Sequence, residues 1–228
     1  MRTISAVAAA LLMHVAQAGA QLIGGPGTGG NGLPFTFSGV TRYQQVYAAS
    51  QFSAGTITGL RFFRTVNSDG TGDVANARYT FALSTTRATV NGLNTSNLSA
   101  NVGADNTPVL ELLANGVNIP FGQAFTLMFT NAFRFDPSLG NLLLDIAIEP
   151  RLGPGFVLFD ARNGDFGSRS SRAMNAGAGF ESYGLVTEFL TTPLEPVPEP
   201  ATFALMIGGL AMLLAARVRM RRTTRLGA

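Results

Sequence analysis

The sequence predicts an all-β domain, an antiparallel two-layer sandwich of jelly-roll type, carried between an N-terminal signal peptide and a single C-terminal transmembrane helix. Three observations lead there. Apolar residues in the body recur with period two, Asx-Gly pairs separate the apolar runs, and an uncharged apolar stretch lies beside arginine at each end. A closed barrel would satisfy the same alternation and is the alternative architecture.

Composition limits the chemistry before any element is placed. The chain has 228 residues, 46% of them hydrophobic, enough for one sizeable core. All sixteen basic residues are arginine, and Arg2, Arg217, Arg219, Arg221, Arg222 and Arg225 lie at the ends. Residues 21–200 therefore hold ten arginines against thirteen acids, a net −3. The pI near 9.9 belongs to the termini. No basic stripe interleaved with aromatics crosses the body, so nucleic-acid binding is not expected. Cysteine is absent, which removes disulfides, thiolate metal sites and a cysteine nucleophile. The single histidine, His14, falls inside the leader, so the mature body lacks the usual general base and commonest transition-metal ligand.

Residues 1–20, MRTISAVAAALLMHVAQAGA, begin with one positive charge, continue with an apolar run from Ile4 to Val15, and end in small residues spaced for cleavage after Ala18 or Ala20. That layout is a secretory signal peptide, and export through the secretion machinery follows. Residues 21–32, QLIGGPGTGGNG, read as a flexible Gly-rich lead-in. Gly25, Gly27 and Gly30 match G-x-G-x-x-G, but a dinucleotide fingerprint needs a strand before it and a helix after it. Here a cleavage site precedes and Pro34 follows.

Residues 33–192 are the expected sandwich. Tyr79, Phe81 and Leu83 share one face with Thr80, Ala82 and Ser84 opposite, and Phe125, Leu127 and Phe129 repeat the pattern. In NLLLDIAIE, Leu142, Leu144, Ile146 and Ile148 face inward and Asn141, Asp145 and Glu149 outward. Further strands are expected at Thr56–Thr65, Val109–Leu113, Phe156–Asp160 and Leu185–Thr191. Between them stand the turn pairs Asp69-Gly70, Asn91-Gly92, Asn115-Gly116 and Asn163-Gly164.

Residues 193–200 form a Pro-rich linker containing Val197, Pro198, Glu199 and Pro200, and residues 201–220 the expected sorting helix, ahead of a basic cytoplasmic tail at 221–228. Ala201 to Ala216 is uncharged; as a helix it covers about 24 Å at ~1.5 Å per residue, extendable toward the ~30 Å hydrocarbon core if the flanking arginines snorkel. The arginine cluster would keep the C-terminus cytoplasmic. With the triplet, the Gly-containing helix and the arginine cluster in this order, the tail resembles the PEP-CTERM sorting signal of Gram-negative exported proteins. The resemblance implies processing by an exosortase near the triplet. It also implies a membrane anchor before processing, then release to the cell surface or the extracellular space. The phrases RYQQVYAASQF, ALSTT, VNGL, NVGADNTPV, NLLLDI and GLVTEF, over roughly Val40 to Leu190, resemble an ectodomain that recurs in such proteins. That likeness implies a surface β-domain and brings no catalytic residues with it.

The body offers few candidate sites. Asp145 and Glu149 share a strand face but lie roughly 13 Å apart at ~3.3 Å per residue, too far for a glycosidase pair by themselves. Without His or Lys, a serine nucleophile has no familiar base. Calcium is the one ion whose oxygen ligands are present, around Asp69 and Asp73 in NSDGTGD and Asp160 and Asp165 in DARNGD; ordinary Asx turns account for the same residues. Tyr43, Tyr47 and Tyr183 are candidate sugar platforms, with Arg42, Arg169 and the Ser168–Arg172 loop available to acidic polymer; packed or edge positions and a solvated loop account for the same residues and are the favoured reading. The expected function is a non-catalytic surface or matrix protein associated with exopolysaccharide and biofilm. A carbohydrate-binding module with a defined site is the alternative, and a hydrolase with an unrecognised acid pair a third.

Overall fold

The computed structural model describes residues 19–36, 39–162, 170–175, 178–180 and 183–193, with 209, 210 and 212. The expected leader up to residue 18 and the PEP linker from 194 onward lie outside the described residues, as do the sorting helix, apart from helical Gly209, Leu210 and Met212, and the basic tail. Among the described residues no helix is long and apolar enough to cross a membrane. The chain divides into units 1–194 and 195–228, and the first carries the fold described below.

That unit is all-β and antiparallel. One sheet has the order β1 (Gly19–Ile23), β13 (Thr187–Pro193), β4 (Gly55–Phe63), β7 (Ala124–Phe135). A second runs β11 (Ala178–Phe180), β10 (Ser170–Met174), β3 (Arg42–Tyr47), β8 (Asn141–Arg151), β5 (Ala77–Thr86), β6 (Thr107–Ala114). A small third sheet joins β12 (Gly184–Leu185), β9 (Phe159–Arg162) and β2 (Gly29–Asn31). The two larger sheets are sandwich-like, enclosing a core of buried Phe, Leu, Ile and Tyr side chains from both.

Period two builds most of these strands. Tyr79, Phe81 and Leu83 of β5 are fully buried, as are Leu142, Leu144 and Ile146 of β8. Where the period slips, the pairing slips with it. Buried Ile57 and Leu60 of β4 are three apart because the register against β7 shifts between Ile57 and Gly59. The same irregularity lifts the middle of β7 out of the ladder, so Phe129, expected inward, is only half-buried. In that segment the Thr130 hydroxyl donates to the Val109 carbonyl (3.0 Å) and the Asn131 amide to that of Pro108 (3.1 Å), which covers the outer edge of β6.

Ser84 and Asp145, expected outward, do face away from the core, yet both are buried. The short 3-10 turn Leu98–Asn101 lies over that face. Gln44 of β3 donates to the Leu98 carbonyl (3.0 Å), Asn101 donates to Gln44 (2.8 Å), and the Gly103 N–H donates to Ser84 (3.1 Å). Strand β3 escaped the alternation rule for this reason: Gln44 and Gln45 are both fully buried, one on each face, with their amides bonded.

Residues 21–32, expected as a flexible lead-in, instead contribute β1, paired to β13, and β2, paired to β9. Glycine suits the second pairing because the chain passes within reach of two side chains: a Cβ at Gly30 would meet Asn67 at 3.0 Å and Leu158 at 3.1 Å. Of the expected turns, Gly70 (φ 83°), Asn91 (φ 63°) and Gly116 (φ 69°) take the left-handed conformation the Asx-Gly pairs call for. Asn163-Gly164 lies outside the described residues.

The core centres on Phe35, a loop residue. Its ring lies 5.2 Å from Phe62 and 5.7 Å from Phe125 in one sheet, 5.5 Å from Tyr79 and 6.3 Å from Phe81 in the other, and 5.3 Å from Phe159 in the third. Phe35→Ala should lower unfolding free energy by about 3–5 kcal/mol in urea melts. Thr126→Asp, on the exposed side of β7, should stay within about 0.5 kcal/mol of the parent.

Candidate functional site

Three loops meet at one end of the sandwich: the 64–76 connection between β4 and β5, the 115–120 turn after β6, and the 152–157 approach to β9. Arg64, at 4% exposure, holds the first two from below. Its guanidinium donates to the carbonyls of Gly70 (2.7 Å), Ser68 (3.1 Å), Asp69 (3.3 Å) and Ile119 (2.9 Å). Backbone bonds stitch the loops together: Gly72 to Phe156 (3.0 Å), Ile119 to Gly72 (2.9 Å) and Val74 to Val117 (2.9 Å). The Ala75 N–H donates to the Phe35 carbonyl (2.7 Å), tying this end to the core ring. Gly155 passes so close that a Cβ would sit 2.2 Å from the Ala75 nitrogen.

Between these loops opens a cleft of about 460 Å³ lined by Thr71, Asp73, Asn76, Gly116, Pro154 and Phe156, among others. Phe156 is 48% exposed. The Asn118 amide donates to Asp73 Oδ1 (2.7 Å); that bond, and next the Thr71 hydroxyl, hold the Asp73 carboxyl below the ordinary carboxylate range. Asn76 Oδ1 accepts the Gly116 N–H (3.1 Å), which leaves its Nδ2 as a donor. A second cleft of about 470 Å³, walled by Thr85, Arg87, Asn101, Asp105 and Leu139, contains no aromatic ring.

The sequence-expected site residues scatter. Asp69 and Asp73 belong to the first loop, but the Asp69 N–H bonds Asn67 Oδ1 (2.7 Å) in an Asx turn. Asp160, 3% exposed, accepts the N–H groups of Thr65 (2.7 Å) and Val66 (2.9 Å) and the Thr65 hydroxyl, so its oxygens serve the backbone. Among the described residues no group of three or more His, Asp or Glu side chains could hold a metal ion. Asp165 lies outside them, as do Arg169 and the whole sorting motif from Val197 to Pro200 with its arginine cluster Arg217, Arg219, Arg221, Arg222 and Arg225. Arg42 is committed to a bidentate pair with Asp145 (2.9 and 2.5 Å) and to Ser99 (2.9 Å).

For Tyr43 and Tyr47 the packed reading holds, and the sugar-platform alternative does not. Tyr43 and Tyr47 are fully buried, because β3 is an interior strand whose odd positions face the other sheet. Their hydroxyls bond Gln45 (2.6 Å) and Thr187 (2.8 Å). Tyr183 is half-buried and carries the Arg172 guanidinium 4.2 Å above its ring. Arg172 itself is 7% exposed, since Ser170–Met174 is strand β10 rather than a solvated loop. The aromatic ring that does face solvent in a cleft is Phe156. Alternation put it at the start of a strand, yet it makes only an isolated bridge to Asp73 and β9 begins at Phe159. The flanking Gly153-Pro154-Gly155 was the local signal that this phenylalanine sits on a loop.

Comparison with known protein families and with curated proteins finds no match for this chain.

Two measurements check these assignments. Burial pushes the hydroxyls of Tyr43 and Tyr79 up to about 12, and that of Tyr47 well above its ordinary value. Absorbance titration should therefore show these three missing from the step near pH ~10, and the stability they carry should be intact below pH ~10 and lost as pH rises through the raised values. For calcium, EDTA should leave the thermal midpoint unchanged, because Asp160 already serves two backbone N–H groups and a hydroxyl and the described residues bring no three acidic side chains together.

Proposed function

We propose that the protein is a non-catalytic exported surface or extracellular-matrix protein that displays its β-domain and is sorted through its C-terminal tail. The observation that carries this reading is the order of parts along the chain: an apolar leader, one cysteine-free β-domain, then Pro198-Glu199-Pro200, an uncharged run and an arginine cluster. Strand β13 ends at Pro193, so only a short Pro-rich step separates the domain from the triplet. Prolines 193, 196, 198 and 200 favour an extended backbone that a membrane-embedded processing enzyme of the exosortase kind could grip.

Strand order supports the jelly-roll reading of the domain. The sequences 1-13-4-7 and 3-8-5-6 are those of two interlocked Greek keys, with β2 and β9–β12 as additions. Folds of this kind serve many functions, so the role is argued from the sites. Four of the described carboxylates are engaged structurally: Asp145 with Arg42, Glu188 with Arg61, Glu111 with Arg78, Asp160 with backbone. That engagement argues for display over hydrolysis. The loop cleft around Phe156 favours a second, narrower reading, a carbohydrate-binding module.

Cell fractionation with N-terminal sequencing checks export. The protein should be recovered outside the cytoplasm, beginning at Gly19 or Gln21. In a host with an exosortase, deleting Pro198 to Pro200 should leave the tail attached; normal loss of the tail in that variant overturns the sorting reading.

A further inference from the structure

We infer that the cleft between the 71–76, 116–118 and 153–156 loops binds a neutral saccharide chain, with Phe156 as the platform for a sugar ring and Asp73 and Asn76 as partners for its hydroxyls. The assignment rests on the proposed surface role and names the ligand class of that role.

Four features of the cleft point to this chemistry. The first is the ring: Phe156 presents a half-exposed aromatic surface to the opening. The axial C–H bonds of a pyranose make an apolar patch that packs on such a surface, attracted by the negative face of the π-system. The second is the polar set. Sugars carry hydroxyls that both donate and accept, so recognition needs acceptors and donors side by side in fixed positions. Asp73 supplies an ionised carboxylate whose Oδ2 is not used by Asn118, and Asn76 supplies an amide N–H that Gly116 leaves unused. A vicinal pair of hydroxyls can donate to the first and accept from the second, and hydrogen bonds to an ionised acceptor are the stronger kind.

The third feature is charge. Among the described residues no arginine lines the cleft, and the one formally charged lining group is the Asp73 carboxylate. Buried Arg64 is not among the lining residues, and its terminal guanidinium nitrogens are spent on four backbone carbonyls. An acidic sugar would meet the Asp73 carboxylate with no described cation lining the cleft to pair with it, so the cleft selects against polyuronates and phosphorylated ligands. A lipid or apolar peptide would take water from Asp73 Oδ2 and offer it no donor in return. The fourth is rigidity. The walls are fixed by the backbone bonds among Gly72, Val74, Ile119 and Phe156, by Thr36 Oγ1 donating to the Gly155 carbonyl (3.0 Å), and by the Ala75 link to Phe35. A cleft formed before the ligand arrives loses less ordering entropy on binding. Its volume of about 460 Å³ lies within the small-ligand range of about 300–1,000 Å³.

The test uses the full-length chain in mild detergent against a panel of hexasaccharides: β-1,4-linked glucose, mannose and galactose as neutral probes, and hexagalacturonate as the acidic probe. At about 1 mM probe, one or more neutral hexasaccharides should bind and hexagalacturonate should not. Phe156→Ala and Asp73→Ala should each weaken the neutral binding by roughly tenfold. Both side chains are solvent-facing, so thermal midpoints close to the parent's should accompany the loss. Absence of binding by every neutral probe overturns the assignment, as does equal binding of the acidic probe. Binding that survives both substitutions also overturns it. An exported, clipped protein that binds none of the probes sinks this assignment alone, whereas a cytosolic chain retaining its leader sinks the surface reading beneath it.

Discussion

The fold depends on one ring, Phe35, contacting aromatic side chains from all three sheets at once. A domain without cysteine has no covalent tie between its layers, so cohesion must come from buried apolar surface. Phe62 and Phe125, Tyr79 and Phe81, and Phe159 each meet Phe35 at centroid distances where offset and edge-to-face pairs are favourable. A second aromatic group, Tyr47, Phe52, Phe135 and Phe189, closes the other part of the interior, with Tyr47 and Phe189 edge-on across the layers at 5.0 Å. The Phe35 carbonyl also accepts the Ala75 N–H of the loop that forms the cleft, so core packing and site geometry share a residue.

Buried polarity adds direction to that packing. Gln45 points into the core between Tyr43 and Tyr47; its amide donates to the Leu185 carbonyl (3.0 Å) and its oxygen accepts from the Leu185 N–H (2.9 Å) and the Tyr43 hydroxyl (2.6 Å). Tyr47 reaches Thr187, whose hydroxyl also bonds Leu185 (3.1 Å). Apolar contact alone would tolerate β3 sliding against β12 and β13. A shift by one residue would strand these donors and acceptors in the dry interior, so the network specifies register between the layers. The same logic holds on the outer face, where Gln44, Ser84 and Asn101 fasten the Leu98–Asn101 turn over the second sheet.

The proposed role uses this rigidity. A sandwich that carries its recognition groups on loops at one end leaves its first and last strands, β1 and β13, paired with one another. The described domain therefore closes on itself between Gly19–Ile23 and Thr187–Pro193.

The sequence by itself determined what period-two patterning, turn chemistry and terminal composition can determine. The inward faces of β5 and β8 follow the alternation of Tyr79, Phe81 and Leu83 and of Leu142, Leu144 and Ile146, because a strand in a sandwich must place every second residue in the core. The left-handed turns at Gly70 and Gly116 follow from Asx-Gly pairs, because few other residues adopt positive φ without strain. Tertiary structure alone decided the rest, because it turned on contacts between residues distant in the chain. Strand β3 is buried on both faces, so its glutamines look like surface residues until Leu98 and Leu185 supply their partners. Tyr43 and Tyr47 were open to both a packed and a platform reading, and Phe156 read as a strand residue, because one-dimensional alternation cannot say which face a second layer will cover. The cleft was invisible for the same reason: Asp73, Gly116 and Phe156 become neighbours only when Arg64 and Phe35 draw three separate loops together.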